Sequence, residues 1–97
     1  MKFQFRNILH QRGAEEKTID LAQFMMDNAS RWRTRESIVK ALNWQGDGSK
    51  AGWFSGYISF HYHALQADAY MREFGYCISG GDGDFENYRL IRLDGLA

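Results

Sequence analysis

The sequence predicts an α+β domain: three helices followed by a C-terminal β-hairpin, with a strand or extended arm at the N-terminus. Three observations predict it. Apolar residues recur at helical spacing in three segments between Thr18 and Ala69. An aromatic-rich stretch after Ala69 is divided by the turn "GGDGDFE" and resumes as "NYRLIRL". The opening "MKFQFRNI" alternates apolar and polar residues with the period of a strand. The chain has 97 residues and 44% hydrophobic content, enough for one folded domain without a second core.

In chain order, residues 1–17 are expected to form the arm, with Phe3 and Phe5 on one side and "HQRGAEEK" as a polar connector. Residues 18–69 hold the helices. "TIDLAQFMMDNAS" reads as the first, capped by Thr18, with Asp20 in its first turn. Ile19, Ala22, Met25, Met26 and Ala29 form its apolar stripe, widened by Leu21 and Phe24. "RWRTRESIVKALNW" is the second, with Thr34 as N-cap and Glu36 near the positive end of the dipole. Ile38, Ala41 and Leu42 are expected to face inward, Val39 beside them, and Trp32 to anchor the segment on the core. The three glycines of "NWQGDGSKAG" predict a turn.

The third helix begins near Trp53 or Ser55 and contains "ISFHYHALQADAYM". It is apolar on two sides. Ile58, Tyr62, Leu65 and Ala69 share one, expected to be the core side. Phe60, His63, Ala64 and Ala67 share the other, expected to face outward. A break near Ala69 is expected, because a helix continued to Gly75 would need cover on both sides; a helix running to Phe74 with Gly75 as its cap is the alternative. Residues 70–93 are then the hairpin, with Tyr70, Phe74, Tyr76 and Ile78 on one face of its first strand.

Composition excludes several classes. A single cysteine, Cys77, rules out an intrachain disulfide and points to a reducing, cytoplasmic setting. No apolar run approaches the ~20 residues of a bilayer span, and the start has no leader pattern. "NAS" at Asn28 reads as a chance sequon. His61 and His63 at i and i+2 project about 200° apart on a helix and cannot share one ion there, so no metal and no cofactor are expected. "DGDFE" lacks the glycine and distant glutamate of a calcium loop. With no serine elbow and no phosphate-binding glycine loop, no enzyme is expected, and Cys77 is expected to pack as a small apolar residue.

Three helices and a hairpin make a winged helix-turn-helix order. "ISFHYHALQADAYM" resembles the recognition-helix segment of arsenical-resistance and multiple-antibiotic-resistance repressors. Ile58, Ser59, Tyr62 and Leu65 fall on the positions those families give to an aliphatic residue, a serine, a core residue and a leucine. Ala69 stands where glycine is usual, and "YRL" at Tyr88–Leu90 is similar to the returning strand of the hairpin. The resemblance covers roughly residues 18–93. The loop Asn43–Gly52 is longer than theirs, and "DGDFE" is acidic where a DNA-reading wing is basic.

The resemblance implies a small transcriptional regulator that binds double-stranded DNA as a homodimer. Gly56, Ser59, Phe60 and His63 would read bases from the outer side of the third helix. Charge agrees locally: the total is zero, but residues 31–50 carry five basic against two acidic side chains, a local +3. Arg31, Arg33, Thr34, Arg35 and Lys50 would hold phosphates, with Arg89 from the returning strand. The arm at Phe3 and Phe5 would serve dimerisation. The alternative is a winged helix that binds protein, an adaptor or inhibitor of a larger machine. Tyr57 and Phe60 would then be its aromatic anchors.

Overall fold

A computed structural model describes residues 5–29, 31–80 and 87–96. Helices α1 (Phe5–Gln11), α2 (Glu16–Asp27), α3 (Arg35–Ala41) and α4 (Lys50–Arg72) are joined by a three-stranded antiparallel sheet. The strands are β1 (Arg33–Thr34), β2 (Tyr76–Gly80) and β3 (Asn87–Arg92), in the order β1-β3-β2. A short 3-10 turn, Leu93–Leu96, follows β3. Among the described residues no helix is long and apolar enough to cross a membrane.

The N-terminal segment is a helix where a strand or arm was expected from Phe5 onward. Phe5 and Leu9 are one helical turn apart, and both are buried. Phe5 packs edge-on against Phe74, 5.8 Å between ring centres. Arg6 bridges to Glu16 at 2.9 Å and Asp20 at 2.8 Å on α2. Phe5 is therefore a core residue and is not free to form a dimer arm; Phe3 lies outside the described residues.

α2 starts two residues before Thr18. Its N-cap is Glu15, whose side chain makes no capping bond, and Thr18 is buried inside the helix. Thr34 does cap α3, accepting from the Ser37 amide at 3.1 Å. Ile38 and Val39 are the buried pair of α3, whereas Ala41 is exposed.

α4 is longer at both ends than the sequence suggests. Ser49 caps it, accepting from the Gly52 amide at 3.1 Å. Asp47 Oδ1 in turn accepts from the Ser49 hydroxyl at 2.6 Å and amide at 3.0 Å. Those bonds hold the Asp47 carboxyl below its ordinary pKa. At the other end the helix does not break near Ala69. Met71 is fully buried, and Asp68 pairs with Arg72 at 3.0 Å. The helix stops only where Gly75 takes φ +87°, a left-handed conformation that a side chain disfavours. Tyr70 is thus helical, and the first hairpin strand begins at Tyr76. Asp68 Oδ1 also accepts from the Ile78 amide at 2.8 Å, fastening α4 to β2.

The core lies between α2, α4 and the sheet. Leu9, Ile19, Leu21, Ala22, Met25, Ile38, Val39, Phe60, Ala67, Met71, Tyr88 and Leu90 form one cluster. Cys77 is buried beside it on β2.

Candidate functional site

The side of α4 that meets the core is the one expected to face water. Gly56, Phe60, His63, Ala67 and Met71 are its buried residues, with Phe60 1% and His63 7% exposed. Phe60 packs edge-on against Tyr88, 4.8 Å between ring centres. A Cβ on Gly56 would lie 2.7 Å from the Trp44 carbonyl oxygen and 2.9 Å from a Val39 methyl, so the glycine is there for close packing. Gly56, Phe60 and His63 therefore cannot read bases, and Phe60 cannot anchor a partner. Ser59, beside them, is half-buried.

His63 is a partnered core histidine. Its Nδ1 is 2.8 Å from Thr18 Oγ1 and 3.4 Å from Glu15 Oε2, and the Thr18 hydroxyl donates to Gln66 Oε1 at 3.3 Å. Trp44 and Tyr62 enclose the ring at 5.6 and 4.9 Å. Burial pushes its pKa below the ordinary imidazole value. The Glu15 carboxylate opposes that shift, and the Lys17 ammonium adds to it.

The outward face of α4 is apolar instead. Phe54, Ile58, Tyr62 and Leu65 are 66, 56, 53 and 77% exposed. Their spacing of four, four and three residues puts them in one stripe, about 17 Å long at the helical rise. Small soluble chains seldom leave such a row uncovered without using it.

Each flank of the stripe carries charged side chains, with Arg35 beside the middle of the row on one flank and Glu15 on the other, while Glu36 and Lys50 lie toward the Phe54 end. On the α3 side, Arg35 Nη1 meets His61 Nε2 at 3.0 Å, and its guanidinium lies 4.1 Å from the Tyr57 ring centre. On the α2 side, Glu15 accepts from the Tyr62 hydroxyl at 3.4 Å and reaches His63. Lys17 is engaged over Trp44, 5.5 Å from the ring centre.

Several of the residues expected to hold phosphates are engaged within the fold. Arg33 donates to Asn28 Oδ1 at 2.8 Å, with its Nε buried, so it braces the end of α2. Arg89 lies 4.6 Å from the Trp32 ring centre, its Nε also buried. Trp32 itself is 52% exposed and is covered by that guanidinium, not sunk in the core. Thr34 spends its hydroxyl on the cap. Arg31 and Lys50 are exposed, but Lys50 lines a shallow groove with Glu36, Trp53, Phe54 and Tyr57. The acidic tip 82–86 lies outside the described residues. Among the described residues no group of three His, Cys, Asp or Glu side chains is placed to hold a metal.

The sequence reading thus missed Phe54 and placed Ile58, Tyr62 and Leu65 on the wrong side. One signal separates the two sides. The buried set runs 56, 60, 63, 67, 71 without interruption, whereas large residues on the other side end at Leu65. No protein-family model, no curated protein and no solved structure matches the chain.

Proposed function

We propose that this chain is a winged helix-turn-helix domain that works by protein association through the outward face of α4, and not by reading bases. The element order supports the winged reading: helix α2, strand β1, helices α3 and α4, then a hairpin whose returning strand lies beside β1. In such a fold α4 is the helix offered to a macromolecule. The observation that carries the function is the exposed row Phe54, Ile58, Tyr62 and Leu65. Desolvating such side chains against another apolar surface drives association, while bases and phosphates call for hydrogen-bond donors and cations.

A photo-crosslinking residue in place of Leu65, in living cells that produce the chain, tests this. A protein adduct is expected at position 65 and none at exposed Glu73, the C-cap of the same helix. Adducts only to nucleic acid would overturn the reading.

Duplex DNA binding is the second reading, favoured by exposed Arg31 and Lys50 and by the same element order. Its base-facing residues would then be Phe54, Ser55, Ile58 and Tyr62.

A further inference from the structure

We propose that the partner is a second copy of this chain, with the two α4 helices side by side and parallel. The inference rests on the protein-association reading above and adds the identity and orientation of the partner.

The stripe alone would accept any apolar helix. Its flanks are more selective. Positions 57 and 61 lie to one side of the row and positions 62, 63 and 66 to the other. Arg35 is therefore fixed on one flank, beside Tyr57 and His61. Glu15 is fixed on the opposite flank, beside Tyr62 and His63. The two charges stand within about one helical turn of the same height along α4.

Two-fold symmetry permits two ways of laying the stripe on itself. A dyad across the helices makes them antiparallel and keeps each flank on its own side. Arg35 would then approach Arg35, and Glu15 would approach Glu15. A dyad along the helices makes them parallel and exchanges the flanks. Each Arg35 then faces the other copy's Glu15, twice per dimer, while Ile58 meets Ile58 and Leu65 meets Leu65 across the seam. Opposite charges at the rim choose the parallel form, since like charges held together there are unfavourable. The same parallel form puts apolar side chains of matched size together, as in a short parallel coiled coil.

Four large side chains per copy make a small interface, so association is weak and depends on concentration. Sedimentation equilibrium of the full chain, from about 1 µM to about 1 mM, covers the range in which such an interface assembles. A monomer–dimer equilibrium is expected, abolished in Ile58→Lys with the circular dichroism spectrum retained. Arg35→Gln and Glu15→Gln each remove two rim pairs and should weaken the dimer about 2- to 30-fold. In a Cys77→Ser background, Leu65→Cys should oxidise to a disulfide-linked dimer.

A wild-type monomer at every concentration overturns self-association. So does a dimer that Ile58→Lys leaves intact. A dimer strengthened by Arg35→Gln, without the Leu65→Cys crosslink, overturns the parallel arrangement. If the photo-crosslink from position 65 captures a different protein while the purified chain stays monomeric, self-association fails and the protein-association reading survives. Nucleic acid adducts alone sink both.

Discussion

At the residue scale, two buried positions on α4 have physical consequences that their residue types do not advertise. Gly56 has no room for a methyl group, with a carbonyl oxygen and a Val39 methyl both closer than ordinary contact distance to a built Cβ. Gly56→Ala should destabilise the chain by about 1–3 kcal/mol through overpacking, although alanine is the better helix former. Chemical denaturation with a fitted midpoint measures this. His63 supplies a pH dependence. Its folded pKa lies below the unfolded value because burial penalises the imidazolium, with Glu15 and Lys17 pulling in opposite directions. The unfolded chain therefore binds more protons than the folded one below about pH 6.5, the ordinary imidazole value. This contribution to stability is complete above that pH and is lost as pH falls toward the folded pKa. The melting temperature should decline as pH falls below about 6.5, and His63→Gln should flatten that decline. An equally steep decline in the variant would assign the effect to the carboxylates.

At the element scale, the two apolar sides of α4 exchange the roles that their residues suggest, and stability measurements separate them. Phe60→Ala opens a cavity against Tyr88 and should cost about 3–5 kcal/mol. Ile58→Lys and Leu65→Lys touch exposed positions and should stay within about 0.5 kcal/mol of the parent. The opposite ranking would mean that α4 is rotated about its axis. Helix identity was legible in the sequence: α2, α3 and α4 lie where apolar residues recur at helical spacing, Thr34 caps as expected, and the two hairpin strands lie on either side of the glycine-rich segment. The rotation of α4 was not. Phe60 and Ile58 are equally apolar, and local periodicity has no term for which side α2 and the sheet will cover. The long-range partners that decide it, Thr18 for His63 and Tyr88 for Phe60, lie 45 and 28 residues away in sequence. The N-terminal helix was hidden for a related reason. Alternation of Phe3 and Phe5 imitates a strand, while the pair that matters, Phe5 and Leu9, acquires meaning only once Phe74 is beside it. A run of arginines in sequence says nothing of what each is bonded to. Arg33 and Arg89 are taken up by Asn28 and Trp32.

At the scale of the whole molecule, the balance of charge decides how strongly the chain can attract a polyanion. The total is zero, with twelve basic and twelve acidic side chains, so no long-range field favours nucleic acid. Local cations must then supply any affinity, and of the six side chains expected to hold phosphates, Arg31 and Lys50 are the two that stand exposed without a bonded side-chain partner among the described residues. Two phosphate contacts release few counterions. The logarithm of duplex affinity should therefore fall with the logarithm of salt at a slope no steeper than about −2. A filter-binding titration of a random duplex pool at low and moderate salt measures that slope and, through the retained sequences, any preference. Weak retention without an enriched motif is expected, and Arg31→Ala with Lys50→Ala should abolish it. A motif enriched at moderate salt, lost on Ile58→Lys and unaffected by chain concentration, would move α4 from the protein surface to the major groove. Because the same exposed row cannot be covered by a second copy and lie in a groove at once, self-association and any α4-mediated duplex binding should compete. For binding through the α4 row, raising the chain concentration through its dimerisation range should then lower retention per chain.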